Sequence, residues 1–133
     1  RDAWPGKLVV KGVLDPEDAK MLKTKGVDAI QVSSHGARQL ESAPSPFAML
    51  PVIREAVGHE FPLFFDSGLR SGEDALKALV SGADFTFFGR ILQFAIAAGG
   101  EEGLNRMWDV LSDEMSIAMA QTGMCSLTAN ENE

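Results

Sequence analysis

The feature that most constrains the fold of this chain is a fourfold alternation of short, β-rich apolar runs with longer segments of helical period. Runs of this length between helical patterns are typical of βαβ units around a parallel sheet. The chain is therefore predicted to have an α/β fold. The predicted strands are Leu8–Val10, Ala29–Val32, Pro62–Phe65 and Asp84–Phe88.

The helical segments carry their own start and stop signals. Asp15 followed by Pro16 predicts an N-cap and a first helical residue, and Gly26 predicts that this helix ends after about Lys25. An apolar stripe on the last helix is expected to pack into the core, at Trp108, Leu111, Met115 and Met119. The other helices are expected from near Pro46, over Glu73–Ser81, over Ile91–Ala98 and, after the segment GGEEG, from Leu104 to about Thr122.

Parallel strands that carry helices form either an open doubly wound sheet or a closed (β/α)8 barrel. Four units make half of such a barrel, which normally takes roughly 250 residues. In both architectures the chemistry belongs at the carboxyl ends of the strands. The unusual polar residues of this chain follow its predicted strands.

Composition limits the classes of partner. With 133 residues, of which 45% are hydrophobic, the chain can bury the core of one domain. Its formal net charge of −7 disfavours nucleic acid or an anionic membrane as the main partner, so a bound anion would need local positive groups. The single cysteine, Cys125, excludes an internal disulfide and fits a reducing compartment. No apolar run is long enough to cross a bilayer, and no metal site is expected.

The segment VSSHGARQLES places a histidine and an arginine in a loop directly after the second strand. The imidazole of His35 can take a proton near neutral pH, and the planar guanidinium of Arg38 matches a carboxylate. Together they suit an acid substrate that bears a removable proton. The alternative is a polar loop with a surface arginine. The other histidine, His59, lies in a turn and is expected to be exposed.

Cations and glycines follow the other three strands. Lys11, after the first strand, is either a cation beside a bound anion or electron-rich ring, or a solvated lysine at a strand end. After the third strand, small residues would let backbone amides and a helix N-terminus approach an anion, with Arg70 adding a charge. Gly89 and Arg90 repeat this arrangement after the fourth strand, as in phosphate sites of (β/α)8 enzymes. The small residues after the third strand are Ser67, Gly68, Ser71 and Gly72.

Four motifs in this order and spacing resemble the C-terminal half of the FMN-dependent 2-hydroxy acid dehydrogenases and oxidases, above all their bacterial L-lactate dehydrogenase branch. The likeness runs from about Leu8 to Leu127 and implies a (β/α)8 barrel of which this chain is the C-terminal half, strands five to eight. The combination is specific, whereas any one motif is shared with other flavin or phosphate-binding barrels. The motifs are KLVVKGVLDPEDA, VSSHGARQLES, DSGLRSGEDALKALVSGAD and FFGR.

The resemblance implies FMN as cofactor and a small L-2-hydroxy acid, lactate first, as substrate. Lys11 would stabilise negative charge at the flavin N1 and C2 carbonyl, and Ser33 would contact the ring. His35 would be the general base, and Arg38 would bind the substrate carboxylate. The FMN ribityl and phosphate groups would be held by Asp66, Ser67, Gly68, Arg70, Gly89 and Arg90.

The chain departs from the usual family pattern at four positions. Each replacement keeps a small or polar residue, so the departures bear on substrate choice more than on the nature of the site. Ser34 replaces an asparagine, Ala37 a glycine, Glu41 an aspartate and Ser67 a glycine.

Family members complete the site with tyrosines from the N-terminal half of the barrel, and this chain contains no tyrosine. We therefore expect residues 1–127 to be the C-terminal half of a barrel, followed by a polar tail at 128–133, and to turn over substrate poorly alone. The expected partners are the missing N-terminal half and further copies of the chain, because half a barrel leaves two open sheet edges. A cytoplasmic location is expected, with peripheral association with the inner membrane face left open for the full-length protein.

Two alternatives remain at this point. Another FMN barrel, of the isopentenyl-diphosphate isomerase or glutamate synthase type, would share the DSGLR and GR elements but would not need a carboxylate clamp beside a base at His35 and Arg38. A non-catalytic phosphate-binding or assembly module is the alternative from a different class.

Overall fold

The computed structural model describes residues 3–127, so the predicted tail at 128–133 lies outside the described residues. The strands are β1 (Val9–Val13), β2 (Ala29–Val32), β3 (Leu63–Phe65) and β4 (Phe85–Thr86). The helices are α1 (Pro16–Thr24), α2 (Pro46–Val57), α3 (Gly72–Val80) and α4 (Arg90–Gln121), with a single 3-10 turn at His35–Ala37.

The four strands form one parallel sheet in the order β1-β2-β3-β4. An order that continues in one direction is that of a (β/α)8 barrel, because a doubly wound sheet reverses its strand order at a switch point. The structure therefore favours the half-barrel over the doubly wound alternative.

Several predicted boundaries shift. β1 extends to Val13, and β4 is shorter than the predicted strand. The two helices predicted at the end of the chain form one helical span, α4, which Gly99 and Gly100 interrupt with non-helical backbone. Gly100 has a φ of 57°, a conformation that glycine adopts at low cost.

The break in α4 folds its two parts onto each other and onto α3. A Cβ at Gly103 would stand 2.1 Å from the carbonyl oxygen of Ala95, and one at Gly72 would stand 2.0 Å from that of Leu111. Only glycine allows backbones to approach so closely. Of the apolar stripe predicted on this helix, Leu111 is buried and the ring of Trp108 packs edge-on against Phe88 while remaining 46% exposed.

The core lies between the sheet and the helices. Residues aligned across the strands point to the same face, so Ile30 and Leu63 turn toward the helices, where they pack with Leu50 and Ile53. The opposite face carries Lys11, Gln31, Phe64 and Phe85, which align in one row across the four strands. That face would line the interior of a complete barrel.

Arg54 ties α2 to the strands on either side of it. Its side chain is 6% exposed and donates hydrogen bonds to the carbonyl oxygens of Gly58, Phe61 and Gly82. Its Nη2 lies 2.7 Å from Oδ2 of Asp84, and the same oxygen accepts the amide of Leu63 at 2.7 Å. One guanidinium therefore satisfies several buried carbonyls where β3 and β4 begin.

Within the part of the chain that the structure describes, β1 pairs only with β2 and β4 only with β3. Apolar side chains at these edges remain exposed: Val9 is 41% accessible, Phe85 55% and Phe87 41%. No helix within residues 3–127 combines the length and apolar character that crossing a membrane requires.

Candidate active site at the strand ends

A half-buried carboxylate organises the carboxyl ends of the first three strands. Oδ2 of Asp66, just after β3, accepts hydrogen bonds from Nζ of Lys11 at 2.5 Å and from Nε2 of Gln31 at 2.7 Å. Oδ1 accepts the hydroxyl of Ser67 at 2.8 Å. The register of the sheet explains this cluster, because Lys11 and Gln31 stand in one row and Asp66 follows Phe64 by two residues on the same face.

The cluster keeps Asp66 ionised. Burial alone would raise the pKa of Asp66, but hydrogen bonds from Lys11, Ser33 and Ser67, together with the charge of Lys11, outweigh it and hold the pKa below its ordinary value of 3.8. The side chain of Lys11 is 44% exposed, while that of Asp66 is 14% exposed. Lys11 is therefore a partly exposed cation whose position is fixed by Asp66.

The loop that carries His35 has an unusual backbone. His35, Gly36 and Ala37 have φ values of 54°, 71° and 60°, three successive residues in the left-handed region. For the two non-glycine residues this conformation costs about 1–2 kcal/mol each. Such strain persists only where surrounding contacts hold the backbone, and it is concentrated at functional sites.

Serine side chains hold this turn. The amide of Ser34 donates to Oγ of Ser67 at 3.1 Å, that of His35 to Oγ of Ser33 at 3.0 Å, and that of Gly36 to Oγ of Ser67 at 3.4 Å. The amide of Ala37 is within hydrogen-bond distance of Oγ and O of Ser34. Each amide from residue 34 to 37 thus has a serine acceptor.

Two further contacts place the imidazole of His35. A Cβ at Gly12 would stand 2.4 Å from its Cε1, so the ring packs directly on the backbone next to Lys11. At the next residue, Nη2 of Arg90 lies 3.8 Å from the Cβ position of Gly36. The structure therefore brings Lys11, His35 and Arg90 into one region at the strand ends.

The turns after β3 and β4 leave room for an anion. A Cβ at Gly68 or at Gly89 would meet no atom within 4 Å, so the backbone there is open. Gly89 precedes α4 without a side-chain cap, which leaves the first amides of that helix available to an acceptor. Arg70 follows Gly68 by two residues and Arg90 follows Gly89 directly, so each turn carries an exposed arginine. These groups fit a phosphate.

Three arginines of the predicted site have no carboxylate partner among residues 3–127, namely Arg38, Arg70 and Arg90. All three are exposed. Arg38 closes the His35 turn in right-handed helical conformation, with φ −75° and ψ −24°, and the structure records no contact of its guanidinium with the other predicted residues. Its charge is available to a ligand.

Sequence reasoning missed two residues of this region. Gln31 could have been recognised from the sequence, because it is the one polar residue in the apolar run that forms β2, where all four residues are buried. Gly12 gave no signal beyond its residue type, because its role depends on a ring 23 positions away in the sequence.

Open glycine turns, a cation and a histidine at the ends of parallel strands are typical of cofactor-binding (β/α)8 barrel enzymes. The family model described as FMN-dependent dehydrogenase matches residues 1–133. The chain belongs to this family. The match confirms the family and, with it, FMN as the family's cofactor, as predicted from the sequence.

Curated relatives agree with this result. The L-lactate dehydrogenase of Bartonella tribocorum is 44% identical over 127 residues, covering 96% of this chain and 33% of the relative. That of Caulobacter vibrioides (strain NA1000 / CB15N) is 47% identical over 124 residues, covering 93% and 32%. The chain thus spans about a third of the length of these relatives.

Solved structures give the same fold. A soluble mutant of the membrane-associated (S)-mandelate dehydrogenase from Pseudomonas putida superposes with a TM-score of 0.91 at 39% identity, covering 97% of this chain and 36% of that one. A mandelate oxidase structure superposes with a TM-score of 0.90 at 37% identity, covering 96% and 37%. The half-barrel predicted from the sequence is confirmed.

Proposed function

We propose that the protein containing this chain oxidises a small L-2-hydroxy acid, L-lactate first, to the 2-oxo acid with FMN. One observation carries the proposal: His35 lies on Gly12 beside Lys11, and Arg90 approaches the neighbouring Gly36. A base, a cation and an arginine thus lie in one region at the strand ends. The relatives named L-lactate dehydrogenase, at 44% and 47% identity, favour lactate within the 2-hydroxy acids.

FMN, when bound, accepts the two electrons that leave the substrate. Asp66 holds Lys11 where its ammonium can stabilise negative charge on a ring. Ser33 is 1% exposed and its hydroxyl supports the His35 turn, so its contribution to a ring contact would come through this turn. Residues of the two open turns, with their amides and guanidinium groups, would hold the phosphate and ribityl groups: Gly68, Arg70, Gly89 and Arg90.

His35 and Arg38 act on the substrate. The guanidinium of Arg38 would bind the carboxylate through two parallel hydrogen bonds and thereby orient the carbon that is oxidised. The imidazole of His35 accepts the proton that the substrate releases. Its packing on Gly12 limits the positions of the ring, so the proton acceptor is placed before the substrate arrives.

The test is flavin reduction in the full-length protein reconstituted with FMN and mixed anaerobically with L-lactate. We expect bleaching of the flavin absorbance. His35→Gln should slow it by roughly 100-fold or more, since a general base typically contributes that much. Arg38→Lys should weaken L-lactate binding by about tenfold, because lysine cannot make the paired contact.

His59→Gln is the matched control, since His59 is the exposed second histidine of the chain. It should reduce flavin at the parental rate. Bleaching by L-lactate that is unaffected by His35→Gln would contradict the assignment of the base. Bleaching by (S)-mandelate but not by L-lactate would place the substrate among the larger acids.

We further propose that the remaining part of the barrel is the principal partner of this chain and that the assembled protein forms a homo-oligomer in the cytoplasm, with peripheral membrane association left open. The chain spans about a third of the length of its relatives, which supports the proposal that the remaining part of the barrel is its principal partner.

A further inference from the structure

We propose that Ser67 is a positioning residue for His35, and that its hydroxyl sets the conformation of the His35 turn rather than binding the cofactor. This inference rests on the proposed function, in which His35 is the base. It departs from the sequence-based expectation, which placed Ser67 only among the residues around FMN.

The backbone at Ser67 is strained, because a non-glycine residue occupies a left-handed conformation there. Its φ is 85°, in the left-handed region, and Gly68 follows with 88°. Glycine would adopt this conformation without strain. A side chain at such a position needs compensation from its contacts.

The hydroxyl of Ser67 is fully used within the chain. It donates to Oδ1 of Asp66, accepts the amides of Ser34 and Gly36, and lies 3.4 Å from Oγ of Ser33. A hydroxyl has one donor and two acceptor positions, so the bond to Asp66 and the two amides already occupy it completely. No hydrogen-bonding capacity of this side chain remains for a ligand.

The two accepted amides flank His35. The turn from His35 to Ala37 is left-handed throughout, and glycine is present at only one of its three positions. Without the Ser67 hydroxyl, the amides on both sides of His35 would lose their acceptor. The turn could then relax toward right-handed backbone and carry the imidazole away from Gly12.

The same hydroxyl connects the base to the cation. Ser67 contacts one oxygen of Asp66, and Lys11 contacts the other. A continuous set of hydrogen bonds therefore runs from Lys11 through Asp66 and Ser67 to the backbone of the His35 turn. It fixes the two functional side chains relative to each other.

Two substitutions separate positioning from general stability. Ser67→Gly removes the hydroxyl and also the backbone strain, whereas Ser67→Ala removes the hydroxyl and keeps the strain. In the FMN-loaded full-length protein, Ser67→Gly should unfold at the parental temperature or above it, and Ser67→Ala below it. In both variants the flavin should be reduced at least about tenfold more slowly, because a small displacement of the general base lowers the reaction rate. Both variants should bind FMN with an affinity within about threefold of the parent's.

A merely structural role predicts a different pattern, in which the rate follows the melting temperature. Reduction at the parental rate by Ser67→Gly would therefore overturn the proposal. A parental rate combined with weaker FMN binding would overturn it as well and assign the hydroxyl to the cofactor. Ala37→Gly is the matched control, since it relieves strain in the same turn and leaves every serine in place; it should keep the parental rate.

A readout independent of turnover distinguishes failure of this inference from failure of the proposed function. Amide hydrogen exchange at Ser34 and Gly36 should be faster in Ser67→Gly than in the parent and in Ala37→Gly. If no 2-hydroxy acid reduces the flavin of the parent, the proposed function fails, and the exchange rates still decide the role of Ser67. Unchanged exchange rates at both amides would overturn the positioning role of Ser67.

Discussion

Asp66 is the residue on which the geometry of the candidate site depends most directly. Its two carboxylate oxygens bind Lys11, Gln31 and Ser67, which come from three different strand ends. Protonation would remove the charge that attracts Lys11 and place an O–H donor on an oxygen that now accepts, so the charge state of Asp66 determines whether the cluster remains together. The pH dependence of stability should therefore report on this residue.

We predict that Asp66→Asn flattens the acid limb of the stability curve. The pKa of Asp66 is depressed in the folded chain by contacts with Lys11, Ser33 and Ser67 that outweigh its burial. Its contribution is therefore present above the unfolded pKa of 3.8 and is lost as the pH falls through the lower folded pKa. Urea unfolding of the full-length protein from about pH 2.5 to about pH 6 measures this slope.

Asp113→Asn is the control for this experiment, because Asp113 is an exposed aspartate on α4. Its curve should keep the parental slope at low pH. Identical slopes for the parent and Asp66→Asn would show that the cluster does not contribute to acid stability.

At the scale of elements, the contacts of Arg54 fix the position of α2 relative to the sheet. α2 buries an apolar stripe, yet Arg54 lies within the buried stripe beside Ile53 and Val57. Its guanidinium satisfies carbonyls at the end of α2 and at the starts of β3 and β4, and it pairs with Asp84. The position of β3, and hence of Asp66 at its end, depends on this contact.

We predict that Arg54→Met lowers the free energy of unfolding of the full-length protein by about 2–4 kcal/mol. Methionine fills similar space but leaves buried carbonyls and one carboxylate oxygen without their donor. Urea denaturation with an unchanged slope measures the loss. Arg106→Met, at an exposed position of α4, should change stability by no more than about 0.5 kcal/mol, and an equally small effect of Arg54→Met would contradict this role.

At the scale of the whole molecule, the sheet has two open edges and an uncovered apolar face. The described residues pair β1 and β4 on one side only, and aromatic rings from Phe64, Phe85 and Phe87 cluster on the face opposite the helices. Burial of a phenylalanine side chain stabilises a protein by about 1.5–3 kcal/mol. This surface therefore favours association with whatever completes the barrel.

We predict that the isolated 133-residue chain self-associates, with a sedimentation coefficient that rises with protein concentration. Phe85→Lys, at a side chain that is 55% exposed, should reduce association without unfolding the chain, because it places a charge on the uncovered face. A stable, compact monomer at all concentrations would contradict the prediction.

The sequence predicted local structure well because the signals for it are local. Asp15 and Pro16 start α1, and β2 has the predicted bounds, since capping and apolar period act within a few residues. The glycine-rich turns after β3 and β4 were predicted for the same reason. Gly99 and Gly100 predicted a break in the last helical span, and the structure has one there.

By itself, then, the sequence determined the βα order, the family and the strand ends that carry the candidate site residues, because residue type and spacing encode each of them directly. Only the tertiary structure decided which polar atoms meet. Lys11 and Asp66 are 55 positions apart, and Ser67 accepts amides more than 30 positions away. Such pairs depend on strand register and on the exact course of a left-handed turn, and hydrogen bonds form only when these bring donor and acceptor to about 3 Å.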